Sequence, residues 1–257
     1  MLPLMLLVAA QGQVPVHNNL KQPDSLLVAP VEAETHLKNV RQLTFGGQNA
    51  EAYWSADGKQ ITFQSLQPNY PDEQVFVMNA DGSNKHLVST GKGRCTCSYF
   101  TPDGKWVYFS STHEKNEGKQ KELDRSKGYV WMVNPQFSMY KSRPDGSDRR
   151  LVLQKNAYVA ETTIAPNGKF MTFTSTFEGD LEIYRSNLEG TNIQRLTNEF
   201  GYDGGPFVSW DSSKIVYRRQ PEVTEEQKKD YAALLAEDLV RPSKLEIWIM
   251  DADGKNK

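Results

Sequence analysis

Glu51, Glu161 and Asp203 are three carboxylates that recur at matching places in a repeating sequence, with Arg94 at a neighbouring place. Two carboxylates that share a cleft can divide the work of general acid and general base. Aligned on the hairpin that follows each of them, Glu51, Cys97, Glu161 and Gly205 stand at one level of their strands. Asn49, Cys95, Val159 and Asp203 stand two residues earlier, which in a strand is the same face. Arg94, Tyr158 and Tyr202 fall between. The candidate ligand-binding set is therefore Asn49, Glu51, Arg94, Tyr158, Glu161, Tyr202 and Asp203, an acidic ring with Arg94 opposite. The plainer alternative is a polar lining whose members bond one another or water. Gly204 and Gly205, in the run from Tyr202 to Phe207, permit a bulge or a close backbone approach.

The elements that must position these residues announce themselves by recurrence. WSADGKQITFQS at 54–65 reads as strand, tight turn, strand, and FTPDGKWVYFSS (100–111), IAPNGKFMTFTS (164–175) and VSWDSSKIVYRR (208–219) repeat it. A second marker, an apolar strand running into another turn, appears as VFVMNADGSN (75–84), EIYRSNLEGTN (182–192) and EIWIMDADGKN (246–256), with MYKSRPDGSD (139–148) as a degenerate copy. A third closes each unit: RQLT (41–44), KHLV (85–88), RRLV (149–152) and QRLT (194–197). The hairpin residues 57, 103, 167 and 211 are spaced 46, 64 and 44 apart. The short periods match the roughly 40–45 residues of a four-stranded propeller blade, and the long one is a blade with an insert. The reading is an all-β chain, a β-propeller of four-stranded antiparallel blades, with the innermost strand of each blade lining a central channel.

Composition narrows the function. The 257 residues carry a net charge of −2, so no basic excess points to nucleic acid or an anionic membrane. No P-loop, dinucleotide fingerprint, HExxH or G-x-S-x-G is present, so no cofactor and no hydrolase nucleophile is expected. The Asp-Gly pairs lack the D-x-D-x-D-G pattern of a calcium loop and read as turns. Cys95 and Cys97 read as ordinary strand cysteines, because His86 and His113 are too distant in sequence to complete a metal set.

Met1–Ala10 is a short apolar run ending in small residues, like the core and cleavage site of a secretory leader, and too short to span a bilayer. Residues 11–39 read as a linker and 40–257 as the propeller. Val40–Thr44 has no blade before it and is expected to clasp the last blade. Residues 113–128 are a charged, solvated insert. Residues 224–240 read as a helix, capped by Thr224 with Gln227, carrying Tyr231, Leu234, Leu235 and Leu239 on one face and stopped by Pro242. The pattern halts at Lys257 before a closing strand, so four blades are expected to be part of a six-bladed ring truncated at its C-terminus, and the isolated chain to be aggregation-prone.

TPDGK (101–105), APNGK (165–169), SADGK (55–59) and, more distantly, SWDSSK (209–214) resemble the TolB-type propeller repeat, as do VFVMNADGSN and QRLT. The resemblance covers roughly residues 40–257 and implies a WD-like propeller fold, a periplasmic setting and envelope-protein partners. The function expected first is a non-enzymatic exported scaffold that binds an envelope protein or glycan. An accessory propeller of a prolyl-oligopeptidase-like peptidase, with its catalytic domain beyond residue 257, is the alternative. A channel-mouth enzyme using Glu51, Glu161 and Asp203 is the third.

Overall fold

The computed structural model describes residues 24–221 and 224–257. The leader segment 1–10 and residues 11–23 of the linker lie outside these. Two short antiparallel strands come first, β1 (Leu26–Leu27) and β2 (Arg41–Gln42). Blade one follows with β3 (Gln48–Trp54), β4 (Gln60–Leu66), β5 (Gln74–Asn79) and β6 (His86–Leu87). Blade two begins with β7 (Cys95–Phe100) and β8 (Val107–Ser111), gives out an insert carrying β9 (Trp131–Met132), and resumes with β10 (Ser138–Ser142) and β11 (Arg150–Leu153). Blade three is β12 (Val159–Ile164), β13 (Met171–Ser175), β14 (Glu182–Ser186) and β15 (Gln194–Arg195). Blade four is β16 (Asp203–Val208), β17 (Lys214–Arg219) and, after an insert with helix α1 (Glu225–Leu235) and β18 (Leu239–Val240), β19 (Glu246–Asp251). The four sheets are antiparallel, in consecutive order apart from the inserts, and form a four-blade β-propeller.

Local chemistry explains the recurring hairpin. In blade one Ser55 Oγ donates to Asp57 Oδ1 (2.7 Å), the Lys59 amide donates to the same oxygen, and the Gln60 amide donates to Ser55 Oγ. Thr101, Asp103, Lys105 and Trp106 repeat this network in blade two, and Ser209, Asp211, Ser213 and Lys214 in blade four. The side chains thus satisfy turn amides that no strand can reach. Blade four places Ser212 where the others have glycine, and it adopts the same left-handed backbone at φ 62°.

Successive blades stack through apolar strand faces. Val75, Val77 and Val88 of blade one meet Phe100, Val107 and Phe109 of blade two. Tyr108 and Met139 meet Val159, Met171 and Phe173 across the second interface, and Ile183 and Leu196 meet Ile215, Tyr217 and Met250 across the third. This is the period-2 pattern used twice, one face of each sheet for each neighbour.

One expectation changes, at the helix. The segment 40–44 lies against blade one. β2 pairs with β1, and Leu43 packs on Ile61, Phe63 and Met78 of blade one. Leu43 lies beside Gly82 in the outer turn of blade one, much as Leu87, Val152 and Leu196 lie beside Gly146, Gly190 and Gly254 in the turns of the next three blades. The motif therefore occupies the closing-strand position of a unit preceding blade one, and apolar packing on blade one holds it there. The helix forms with its capping box, the Gln227 amide donating to Thr224 and the Gln227 side chain accepting from the Thr224 amide, but it ends at Leu235. Leu239 is in β18 instead, opposite Met132 of β9, because the two inserts find their backbone partners in each other. The paired inserts pack Tyr231, Val133 and Val240 against Tyr158, Leu181 and Tyr202 of blades three and four.

Candidate functional site

The innermost strand of every blade carries a β-bulge, and it falls at one level. Register slips between Ala50 and Tyr53, Thr96 and Tyr99, Ala160 and Thr163, and Gly204 and Phe207. The residue at each bulge is left-handed: Glu51 (φ 53°), Cys97 (52°), Glu161 (57°) and Gly205 (60°). A left-handed conformation is costly for a residue with a Cβ, so the stacked blades must enforce it. All four bulge residues line one cavity of about 260 Å³, with Tyr53, Phe207, Val216, Arg218 and Ile247 among its other walls.

The bulges are stitched from blade to blade. The Gly205 amide donates to Glu161 Oε2 (2.8 Å) and also reaches Thr174 Oγ1. The Cys97 amide donates to Gln64 Oε1 of blade one (3.1 Å). Glu161 is the most engaged side chain, taking further hydrogen bonds from Arg218 Nη2 (2.8 Å) and the Tyr202 hydroxyl (3.1 Å). Arg218 is held in place by the faces of Trp131 and Tyr202, 5.2 and 5.5 Å from its guanidinium carbon. Gly205 leaves the space for it, since a Cβ there would collide with the guanidinium. Burial drives the Tyr202 hydroxyl far above its ordinary pKa, helped by the Glu161 charge, so it stays a donor.

Glu51 stands differently. It is exposed, and Tyr53 donates to its Oε2 (2.8 Å). Burial, then the charge and hydrogen bond of Glu51, raise the Tyr53 hydroxyl well above its usual value. Burial, then the charges of Glu51 and Glu161, push the Cys97 thiol up to about 12. Tyr53, Tyr99 and Phe207, each two residues past a bulge, pack together with ring centroids 5.4 to 6.4 Å apart.

Of the residues singled out from sequence, Glu51 and Glu161 line the cavity and Tyr202 supports it from behind. The others do not line it. Asn49 donates to the Gly46 carbonyl and accepts from Ser65. Arg94 is bound to Glu73 through two nitrogens (2.9 and 2.6 Å). Tyr158 is buried against Phe137 beneath the inserts. Asp203 is 1% exposed, with Arg219 3.9 Å away. The physical reason is the bulge itself. Period 2 fails there, so the bulge residue turns to the axis while Cys95, Val159 and Asp203 two places earlier are buried between blades. The channel guanidinium belongs to Arg218, not Arg94. Its position is held by Gln64, Ser110 and Thr174 in the other blades, so recurrence gave no sign of it. The aromatic level of Tyr53, Tyr99 and Phe207 was readable by the same alignment that found Glu51. Among the described residues no group of three or more His, Cys, Asp or Glu is arranged to hold a metal ion, and no helix is long and apolar enough to cross a membrane.

A ring of bulged inner strands around an axial cavity, built from stacked antiparallel blades, defines a β-propeller. No family model matches the chain. An uncharacterized protein of Agrobacterium fabrum is 23% identical over 177 residues, covering 65% of this chain and 53% of its own. A Protein TolB homolog of Chlorobium chlorochromatii is 26% identical over 168 residues, covering 63% of this chain and 32% of its own. The chain thus spans about half or less of the curated relatives it matches. The crystal structure of TolB from Acinetobacter baumannii shares the fold with a TM-score of 0.55 at 17% identity, over 80% of this chain and 42% of that one. The chain is a β-propeller, similar in sequence to a TolB homolog and in fold to TolB.

Proposed function

We propose that the protein is an exported, non-enzymatic scaffold of the cell envelope that binds a protein or glycan partner at its channel mouth, its four blades forming part of a six-bladed ring. The observation that carries this reading is the state of Glu161. Its carboxylate accepts from Arg218, Tyr202 and the Gly205 amide at once. A carboxylate fixed by three donors is held in one orientation and makes a good structural anchor. Tyr53 and Cys97 are raised away from neutrality, so they supply neutral, hydrogen-bonding walls rather than an acid or base poised near pH 7. Convergence of four blades on one cavity is the arrangement that gives a partner many simultaneous contacts. Export is supported by the leader-like Met1–Ala10 and by the TolB resemblance.

The test is affinity capture from envelope extract with the immobilised protein, beside an Arg218→Ala variant that empties the cavity wall. The expected result is one or more proteins or glycans retained by the parent and lost by the variant. Retention of nothing above background, or retention indifferent to Arg218, overturns the reading.

A further inference from the structure

The root of the blade-two insert holds a hydrogen-bond chain that the channel does not use. Cys95 of β7 and Ser111 of β8 are register partners, and neither has any exposed surface. The Cys95 thiol donates to Ser111 Oγ (3.1 Å), and the His113 amide donates to the same oxygen (3.3 Å). The serine proton therefore goes to the remaining neighbour, His113 Nδ1, at 2.8 Å. That bond requires a neutral imidazole with its proton on Nε2. Ser111 is closed to solvent, so the pair is not a nucleophile and base open to a substrate.

A proton on His113 breaks this arrangement by donor count alone. An imidazolium has no acceptor, so its Nδ1–H becomes a third donor aimed at Ser111 Oγ. The serine proton is left with the Cys95 sulfur, a weak acceptor. The thiol in turn is left with Gln74 Oε1, 3.6 Å away, which already accepts from Ser89 Oγ (2.8 Å) and the Gly91 amide (3.0 Å). Hydrogen bonds left unmade in a buried site are costly. The surroundings act the same way. Burial is the largest influence on His113 and holds its pKa below the ordinary histidine value. Among the charges around it, Glu114 and Glu117 of the insert oppose that shift, while Arg149 and Lys92 add to it. Lys92 and Glu117 pair with each other at 2.8 Å. The buried Tyr140 of β10 covers the imidazole ring, centroids 4.5 Å apart.

His113 stands where the insert leaves the blade, among the insert's anchors. Gln120 Nε2 donates to Thr112 Oγ1 (3.2 Å), and the Asn116 amide donates to the Thr112 carbonyl (2.8 Å). Lys115 Nζ donates to the carbonyls of Pro135 (3.4 Å) and Lys155 (3.2 Å), tying the start of the insert to its end and to blade two.

We propose that His113 is an acid-sensitive latch at the root of the blade-two insert: neutral, it closes the insert onto the blade through Ser111, and protonated, it releases that root. The latch goes beyond the binding reading and does not depend on it. A released His113 takes up its proton near pH 6.5, whereas the closed one resists until a lower pH. The closed insert is therefore fully favoured above about pH 6.5 and loses that advantage as pH falls through the closed-state value, by up to about tenfold in the opening constant per pH unit.

The experiment follows the His113 ring by NMR titration of the full chain. It also follows hydrogen exchange of the Gln120 and Val133 amides, which donate to Asp72 Oδ2 and the Asp238 carbonyl, at about pH 7.5 and about pH 5, with intrinsic exchange rates divided out. His113 is expected to titrate below about 6.5, and both amides to lose protection severalfold at the lower pH. His113→Asn keeps an acceptor beside Ser111 and removes the titration, so its protection should stay level. Ser111→Ala frees Nδ1 and should move the His113 titration upward. A titration at or above about 6.5, protection that does not fall with acid, or an equal fall in His113→Asn overturns the proposal. Should His113→Asn fail to fold, an unchanged His113 titration in Ser111→Ala overturns it instead.

Discussion

Asp203 is the carboxylate that burial changes most. It is 1% exposed, its Oδ2 has no hydrogen-bond partner, and it faces the buried Glu182. Arg219, at 3.9 Å, is too far to offset this, and Glu199 and Lys257 add opposing charges nearby. Burial first, then the Glu182 charge, push its pKa up to about 8. The unfolded value is about 4. Below pH 4 both states hold the proton and Asp203 costs nothing. Between pH 4 and 8 the unfolded chain releases it while the folded one keeps it, so stability falls as pH rises. Asp203→Asn removes the titration while keeping the shape. It is expected to match the parent near pH 4 and to be more stable at pH 8 by several kcal/mol, up to about 5 for a pKa carried from about 4 to about 8, read from urea unfolding at both pH values. A difference that does not grow with pH overturns the assignment.

At the scale of elements, the two kinds of turn glycine do different work. Gly168, in the inner hairpin of blade three, has φ 67° and open space where a Cβ would go. Gly190, in the outer turn of the same blade, has φ 71°, and a Cβ there would lie 2.6 Å from the Val152 carbonyl of blade two. Gly168→Ala should therefore cost only the left-handed penalty, about 1 kcal/mol. Gly190→Ala adds a clash with a neighbouring blade and should cost about 3 kcal/mol in all, by thermal or urea unfolding. Equal costs would mean that the blades are not pressed together at their outer turns. The same contrast explains what the sequence made legible. The inner hairpin could be read because its chemistry is local: Ser55, Asp57 and Gly58 satisfy one another within a few residues. Leu239 could not be placed correctly, because its spacing continues the helical stripe of Tyr231 and Leu235 while its real partner is Met132 in a distant insert. The site was half legible for a similar reason. Alignment found the level of Glu51 and Glu161, but the bulge that turns them inward also breaks the alternation that would have set Asp203 beside them.

For the whole molecule, stacking decides which strand faces are safe. Along β17 and β19, Ile215, Tyr217 and Met250 are buried against blade three, while their alternates Val216, Ile247 and Ile249 lie on the opposite face and are exposed, Ile249 by 56%. Blade one presents Trp54, 58% exposed, on the face turned from blade two. In a propeller such faces meet a neighbouring sheet, and a contiguous apolar face left in water drives association. The described chain should therefore self-associate, with a weight-average mass in sedimentation velocity that climbs with protein concentration. Ile249→Lys places a charge in the middle of the exposed face, away from the channel lining. Because that side chain is already in water, stability should change by less than about 0.5 kcal/mol. Ile215→Lys, one strand over and pointing the other way, buries a charge between blades and should unfold the protein. If Ile249→Lys keeps the fold and lowers the mass toward that of a monomer, the exposed sheet face is the adhesive surface. If the mass profile is unchanged, association arises elsewhere, and Trp54 on blade one becomes the surface to alter.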